Sequence, residues 1–422
     1  MGWSSTEGLG DRRKFPMLEK VNIVVKDGLE DTDRRKANAE TCKRKIIQHG
    51  GPGPRERDID VKIRYSNTSG FSSHSTVGGI GFTDDAHPWL KGVQDFASFL
   101  RNASKEKQVE PVKIAIIDDG IDATVPIFER RIANGATFCL YPDSPEFVNS
   151  YYVPSGKHGT LMAQLICNMC PNVQLYVARL QELPTLTGGS GRRVTAESAA
   201  KAVEWAVSCD VNIISMSWTI QTNDADSPDM KKFEKAINIA HQKGILMFCS
   251  ASDQGGHTID SSYPGKWGQC TRIGGATFEG DKLTWVDQAV DFWLPGRDVP
   301  FTSGDGKSTT YESGSSVATA AASGLAAVLL YSARLLSAGW FQDRTALQNA
   351  FSNMSTGRDG KFPRAGTWFR NNLRREIKKA QEQNQTDGKK MSRNIDVESL
   401  EWDVVSQLAL SNLLDLIRRD MS

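Results

Sequence analysis

The central part of the chain, from residue 111 to about residue 335, alternates short apolar runs with longer stretches of helical periodicity. The apolar runs are VKIAIID, VQLYVARL, VNIISMS and ILMFCSAS, and the helical stretches include HGTLMAQLICNM and TAESAAKAVEWAVSC. Strands that are apolar at nearly every position are typical of a parallel sheet covered by helices on both faces. We therefore predict a three-layer α/β fold with a mainly parallel sheet, which would carry its site at the carboxyl ends of the strands.

The region before this core is polar and irregular. Residues 1–85 contain two strand candidates, KVNIVV and DIDVKIRY, and one helix candidate around residues 31–48. These elements are too few for an independent core, so we interpret 1–85 as an N-terminal extension, either propeptide-like or the remnant of a larger domain. The segment HPWLKGVQDFASFLRN follows with apolar residues at helical spacing, and we expect the main domain to cover 86–340.

The C-terminal extension, residues 341–422, combines a basic segment with an amphipathic one. Residues 357–394 carry 11 Lys and Arg against 4 Asp and Glu. This composition favours a solvated, partly disordered linker over a basic contact with an acidic partner. The segment DVESLEWDVVSQLALSNLLDLIRRD then predicts an amphipathic helix that docks on the main domain or on a protein partner.

Composition and charge narrow the class of protein. Hydrophobic residues make up 39% and charged residues 24% of the chain, as in soluble globular proteins. The net charge of +1 gives no global signal for nucleic acid or a membrane surface, and no apolar run approaches the roughly 20 residues of a membrane span. The N-terminus lacks the apolar core of a secretory signal. The chain has seven cysteines, an odd number that does not fit a fully paired set of disulfides. We therefore predict an intracellular, cytoplasmic protein.

Three polar residues stand where a parallel sheet would expose them. Asp118 ends the run VKIAIID, His158 opens the helical stretch HGTLMAQ, and Ser316 begins a long alanine-rich run. Each alone has a structural interpretation, such as capping a turn or a helix. Together they follow one of the chain orders of the Asp-His-Ser triad. In a triad the serine attacks a carbonyl carbon, the histidine carries its proton to the leaving amine, and the aspartate orients the imidazole.

The motifs around these residues resemble those of the subtilisin-like serine proteases, over roughly residues 110–335. IAIIDDGID is similar to the family's Asp motif, HGTLMA to its His motif and SGSSVATAAASG to its Ser motif, and the segment before them resembles intracellular fungal members. In this register Ser316 is the nucleophile, and Ser315 replaces the Thr or Ser that precedes it. The resemblance implies that Ser316 leads a buried helix, whose alanines and Gly324 let it lie close to the sheet.

The resemblance also implies where a substrate binds. Ser217, Trp218 and Thr219, in VNIISMSWT, occupy the positions that pair with substrate backbone as an added β-strand. For Trp218 the alternative is a packed core aromatic.

A second wall of the substrate pocket is implied by FCSASDQGG. Ser250, Ala251 and Ser252 would line the pocket for the residue before the scissile bond. Ser252 and Gln254 favour a fairly polar, uncharged pocket.

The main departure from the family pattern is Asp253. The family usually reads AGNxG where this chain reads ASDQG, so Asp253 stands at the oxyanion-hole asparagine. An ionised Asp253 cannot donate a hydrogen bond to the tetrahedral intermediate, and loss of one such donor costs about 100- to 1,000-fold in turnover. A protonated Asp253 could donate, and burial raises a carboxyl pKa. One branch of processing proteases in this superfamily carries Asp here and still cleaves, so we expect a slowed protease that favours mildly acidic conditions.

The predicted function is a serine endopeptidase acting on polypeptides. The alternative is a catalytically degenerate domain that serves as a peptide-binding or regulatory module, which Asp253 favours. A nucleotide-binding domain is disfavoured, because the turn DDGIDATVP lacks a glycine-rich phosphate cradle and its aspartates would repel phosphate. A serine mechanism requires no organic cofactor. Many relatives bind structural calcium, but no acidic loop matches a calcium motif, so we assign no metal ligands.

Overall fold

The computed structural model divides the chain into two compact units, Met1–Gly78 and Gly79–Ser422. The residues that it describes are 18–25, 40–44, 46–47, 60–65, 87–141, 144–183, 193–254, 262–302, 309–355, 360–386 and 404–418. Helices after residue 340 thus belong to the larger unit.

The smaller unit contains a two-stranded parallel sheet. Its strands are β1 (Lys20–Val25) and β2 (Asp60–Tyr65), and a helix, α1, lies at residues 40–44 and 46–47. A small apolar core of Val21, Ile46 and Val61 holds them together. Both predicted strands are confirmed, and the part of the predicted helix before residue 40 lies outside the described residues.

The larger unit is built on a seven-stranded sheet in which every neighbouring pair is parallel. Its strands are β3 (Val112–Asp118), β4 (Ile132–Thr137), β7 (Val173–Arg179), β10 (Ile213–Met216), β12 (Leu246–Ser250), β14 (Thr271–Ala276) and β15 (Phe292–Pro295), in the order β15-β14-β12-β10-β3-β7-β4. The other described strands of this unit form short antiparallel pairs. These pairs are β5 (Leu140–Tyr141) with β6 (Ser144–Val148), β8 (Glu182–Leu183) with β9 (Arg193–Val194), β11 (Ile220–Gln221) with β13 (Ser262–Tyr263), and β16 (Val299–Thr302) with β17 (Thr309–Glu312). The predicted parallel sheet is confirmed.

Helices cover both faces of this sheet, which gives the predicted three layers. They are α2 (Pro88–Glu106), α3 (His158–Met169), α4 (Ala196–Ser208), α5 (Pro228–Gln242), α6 (Ser315–Leu335), α7 (Arg344–Asn353), α8 (Ala365–Thr386) and α9 (Val404–Arg418). The helices α4 and α5 share one apolar core with the sheet, and α2, α3 and α6–α9 share the other. Because strands such as β12 are buried at every position, both faces of the sheet are covered.

The central helix α6 runs through the larger core with almost every side chain buried. A Cβ on Gly324 would lie 2.8 Å from Met169 Sδ, so this glycine admits the neighbouring helix α3, whereas we expected it to admit the sheet. Among the described residues α6 is long and apolar enough to cross a membrane, but 94% of its most apolar 18-residue stretch is buried inside the protein. It is therefore a core helix of the larger unit.

The basic C-terminal segment is folded where the structure describes it. Helix α8 buries Phe369, whose ring stacks on Phe96 of α2 with centroids 4.1 Å apart. The expectation of a solvated linker is therefore wrong for residues 365–386, because an apolar stripe within the charged sequence packs against α2. Helix α9 packs on α7 and α8, with Asn353 Nδ2 donating to the Ile417 carbonyl at 2.6 Å.

Candidate active site

The carboxyl edge of the sheet brings the ends of two neighbouring strands together. Ile116 of β3 stands opposite Ser215 of β10, and Asp118 and Ser217 each follow two residues later at the same edge of the sheet. The Ser217 hydroxyl donates to the backbone carbonyl of Ser316 at 3.1 Å. The start of the central helix is thereby tied to the same edge as Asp118, as the sequence predicts.

His158 lies against Asp118 at this edge. Its Nδ1 is 3.0 Å from each carboxylate oxygen of Asp118, whose side chain is 2% exposed against 25% for His158. A carboxylate only accepts, so Nδ1 carries the proton and Nε2 is left as the basic nitrogen. Asp118 Oδ1 also accepts from the Asp119 N–H at 2.8 Å, which fixes the carboxylate. Two of the three predicted triad residues are therefore in direct contact.

The next residue, Asp119, holds the helix on which His158 sits. Its two oxygens accept from the N–H groups of Gly159, at 2.7 Å, and Gly156, at 3.0 Å. Gly159 packs directly on the strand end, since a Cβ there would lie 2.3 Å from the Gly120 carbonyl oxygen. Asp118 thus orients the imidazole, and Asp119 fixes the first turn of α3.

Ser316 stands half-buried at the beginning of α6, directly after an unusual backbone turn. Gly314 has φ of 146°, a conformation that favours glycine. A Cβ on Gly314 would lie 3.0 Å from Asp253 Oδ2 and 3.4 Å from Ser316 Oγ. Asp253 Oδ2 and Ser316 Oγ therefore both lie next to the position that a side chain at residue 314 would occupy.

Asp253 is held by the residue before the candidate nucleophile. Its Oδ2 accepts from the Ser315 N–H at 3.0 Å, and its Oδ1 accepts from the Ser315 hydroxyl at 2.6 Å. That hydroxyl in turn accepts from the Gly275 N–H at 3.2 Å. Burial raises the pKa of Asp253, and the two Ser315 hydrogen bonds oppose the rise without cancelling it.

Two side chains of the implied substrate strand, those of Ser217 and Trp218, face inward. Trp218 Nε1 donates to the Ile117 carbonyl at 2.6 Å, and its ring packs near Phe233 with centroids 6.0 Å apart. The ring is thus a core aromatic, the alternative interpretation from the sequence. Thr219 is half-buried, and backbone pairing of residues 217–219 with a substrate stays a prediction.

The residues of the implied pocket wall contact different parts of the fold: Ser250 and Ala251 contact α6 and β14, whereas Ser252 contacts β11. The Ser250 hydroxyl is 3.0 Å from the Thr319 hydroxyl of α6, and the Ala251 N–H donates to the Ile273 carbonyl at 2.8 Å. The Ser252 hydroxyl instead accepts from Gln221 Nε2 at 2.8 Å. Of the three side chains, Ser252 faces the neighbouring strand β11, and the assignment of all three to a substrate pocket stays a prediction.

Sequence reasoning missed the roles of Ser315, Asp119 and Thr319. A detectable signal existed for Thr319, because hydroxyls at positions 315, 319 and 323 follow a four-residue spacing within the alanine run. The described residues contain no group of three or more His, Cys, Asp or Glu side chains placed to hold a metal ion.

A family model described as the subtilase family matches residues 110–381. An intracellular serine protease of Paenibacillus polymyxa is 26% identical over 229 residues, which cover 52% of this chain and 66% of that protein. Subtilisin NAT of Bacillus subtilis subsp. natto is 25% identical over 232 residues, 52% of this chain and 55% of that protein. The chain therefore spans between half and two thirds of the length of these relatives.

Two solved structures share the fold of the larger part of the chain. The nisin leader peptidase NisP from Lactococcus lactis gives a TM-score of 0.51 at 15% identity, covering 67% of this chain and 95% of that one. A lanthipeptide protease gives 0.50 at 18% identity, covering 66% and 96%.

Proposed function

The chain belongs to the subtilase family, and we propose that it is a serine endopeptidase that cleaves polypeptides through Asp118, His158 and Ser316. The observation that carries the proposal is the contact between His158 Nδ1 and the buried Asp118 carboxylate, at the sheet edge to which Ser217 ties Ser316. The triad chemistry needs these three groups at one edge, and the order along the chain agrees with it.

In the proposed reaction Ser316 Oγ attacks the substrate carbonyl carbon while its proton moves to His158 Nε2. The Asp118 carboxylate stabilises the imidazolium that forms and keeps the ring in position. The proton then passes to the leaving amine, which leaves an acyl group on Ser316. Water, deprotonated by the same imidazole, then attacks the acyl carbon. The bond from that carbon to Ser316 Oγ breaks, Oγ takes the proton back from the imidazolium, and the second product leaves as a carboxylic acid.

The negative oxygen of the tetrahedral intermediate must be stabilised by hydrogen-bond donors. The backbone N–H of Ser316, at the start of α6, is one candidate, because helix N-termini favour negative charge. Asp253 is the second, provided that it is protonated. Its Oδ2 borders the same point as Ser316 Oγ, and its burial favours the protonated form that can donate. The proposal is therefore a protease whose turnover falls as Asp253 ionises.

A second candidate function is a domain that binds peptides without cleaving them. The hydrogen bonds from Ser315 to both oxygens of Asp253 favour it, since they stabilise the ionised carboxylate. An ionised Asp253 would repel the developing oxyanion and weaken catalysis.

The proposed mechanism needs no organic cofactor, and structural calcium stays a prediction without assigned ligands. One relative named as an intracellular serine protease supports action inside the cell. A protein partner bound through α9 also stays a prediction.

Covalent labelling by a fluorophosphonate probe tests the function. The probe is applied to the full chain and to Ser316→Ala between about pH 5 and pH 8, the range that spans histidine titration. We expect labelling of the unaltered chain and none of the variant. If the unaltered chain folds but never labels, the proposed activity is wrong, and the peptide-binding alternative must then be tested by direct binding of peptides.

A further inference from the structure

Consecutive peptide groups at the start of α6 are each held by a side chain. The Ser315 N–H donates to Asp253 Oδ2 at 3.0 Å, and the Ser316 carbonyl accepts from the Ser217 hydroxyl at 3.1 Å. Between these two, the Ser315 carbonyl accepts from Thr319 Oγ1 at 2.8 Å. The Ser315 carbonyl and the Ser316 N–H belong to one planar peptide group, so the Thr319 hydroxyl helps to fix the direction in which that N–H points.

The Thr319 hydroxyl is itself held by strand β12. Its Oγ1 lies 3.0 Å from Ser250 Oγ, and both residues are buried. A hydroxyl has one proton, and Thr319 gives its proton to the Ser315 carbonyl, so Ser250 is the donor to Thr319. A chain of hydrogen bonds therefore runs from the sheet, through Thr319, to the peptide group of the candidate nucleophile.

A hydrogen bond to a peptide carbonyl strengthens the N–H of the same peptide group as a donor. The bond draws electron density towards the carbonyl oxygen, and hydrogen bonds in a chain polarise one another inside a protein. The Ser316 N–H is a candidate donor to the oxyanion of the proposed reaction. Because that negative charge appears only as the tetrahedral intermediate forms, a stronger and better oriented donor lowers the barrier without tightening the binding of the substrate.

We propose that Thr319 and Ser250 are positioning residues for the oxyanion, on which they act through the Ser315–Ser316 peptide group. The inference rests on the proposed endopeptidase function, and it names the groups that prepare one donor of that reaction. Neither side chain touches the reacting atoms. A role in packing alone would lower the stability of the fold and leave the chemical step at Ser316 unchanged.

Fluorophosphonate labelling of the full chain tests this proposal, because the phosphoryl oxygen of the probe gains negative charge as Ser316 Oγ attacks the phosphorus. Saturation kinetics separate the maximal labelling rate, kinact, from the half-saturating probe concentration, KI. In Thr319→Val a methyl group replaces the hydroxyl, and we expect kinact to fall about three- to tenfold, the usual size of a neutral hydrogen bond, with KI within about twofold. Thr319→Ser keeps the donor and should restore kinact to within about twofold.

Ser332→Ala on the same helix is the matched control. Ser332 is also buried, and its hydroxyl donates at 2.7 Å to the Val328 carbonyl, again four residues earlier in the chain. This pair lies about 18 Å or more along the helix from Ser316, at about 1.5 Å per residue. Both Thr319→Val and Ser332→Ala should unfold at a lower urea concentration than the unaltered chain, but only Thr319→Val should label more slowly.

Two further variants locate the effect. Ser250→Ala should lower kinact less than Thr319→Val does, because Thr319 keeps its bond to the Ser315 carbonyl, and it should add nothing in a Thr319→Val background. In an Asp253→Asn background the loss caused by Thr319→Val should persist. A loss that disappears there would place the effect on the carboxyl of Asp253 and overturn its assignment to the peptide group.

The labelling experiment also separates the two hypotheses. An unaltered chain that never labels overturns the proposed function. A chain that labels, with kinact unchanged in folded Thr319→Val or lowered equally in Ser332→Ala, overturns the positioning proposal alone. If Thr319→Val does not fold, Ser250→Ala decides, and an unchanged kinact in that variant overturns the proposal.

Discussion

Asp253 accepts hydrogen bonds from both the backbone N–H and the hydroxyl of Ser315, at 3.0 and 2.6 Å. The residue before the candidate nucleophile thus holds the carboxylate that, in the proposed mechanism, stands in place of the usual oxyanion donor. Two effects on the pKa of Asp253 oppose each other: burial raises it, and the two donors limit the rise. Ser315, at the start of α6, therefore influences whether Asp253 is protonated, and the proposed reaction depends on that protonation.

Replacing Asp253 with Asn should speed the proposed reaction. An amide donates at every pH, whereas the carboxyl donates only below its pKa, so the acidic preference should flatten. We expect a gain in kcat of up to about 100- to 1,000-fold at neutral pH, the usual worth of one oxyanion donor. The pH profile of kcat checks this. A variant that keeps the original profile would show that the protonation of Asp253 does not set it.

In Ser315→Ala the activity should persist to a higher pH than in the unaltered chain. Removal of the hydroxyl takes away a donor that stabilises ionised Asp253, so the pKa of Asp253 rises and the protonated form persists to higher pH. The same substitution in an Asp253→Asn background should not move the profile, and Ser315→Thr should restore it. A shift that persists in the Asn background contradicts this account.

Asp119→Ala should lower the free energy of unfolding and slow the labelling of Ser316. The carboxylate caps the helix that carries His158, and loss of a cap costs about 0.5–2 kcal/mol in the free energy of unfolding. Asp343→Ala removes a comparable cap on α7, where Asp343 Oδ1 accepts from the Ala346 N–H at 2.9 Å. We expect similar losses by urea denaturation, with slower labelling only for Asp119→Ala. Equal labelling rates would mean that Asp119 is structural alone.

Gly159→Ala should abolish or strongly reduce labelling. The added methyl group would lie 2.3 Å from the Gly120 carbonyl oxygen and 3.0 Å from Asp118 Cβ, so the helix must move away from the strand end and carry His158 with it. Gly339→Ala is the control, because its nearest neighbour is the flexible end of Gln342 at 3.8 Å. Unchanged labelling of the Gly159 variant would refute this close packing.

Phe369→Ala should destabilise the larger unit by about 3–5 kcal/mol, the usual cost of removing a fully buried phenylalanine ring. Lys378→Ala on the same helix should change the stability by less than about 0.5 kcal/mol, since that side chain is exposed. Denaturant unfolding measures both. If the two variants were equally stable, the basic segment would be a solvated linker in solution.

Much of the fold and part of the site follow from local sequence. The apolar runs predict the parallel strands, because burial on both faces requires apolar residues at nearly every position. The order of Asp118, His158 and Ser316, at the end of a strand and the starts of two helices, predicts which edge carries the chemistry. The folding of α8 could not be predicted in this way, because its apolar stripe is diluted by charge and acquires meaning only against α2.

The sequence by itself therefore determined the sheet, the family resemblance and the identity of the three candidate triad residues, all of which depend on short-range pattern. Only the tertiary structure decided what the neighbouring side chains do. Ser315 meets Asp253 across 62 residues of chain, and Arg272 reaches Ser262 past the space left by Gly265. Such contacts depend on how separate strands and helices pack, and local periodicity carries no information about them.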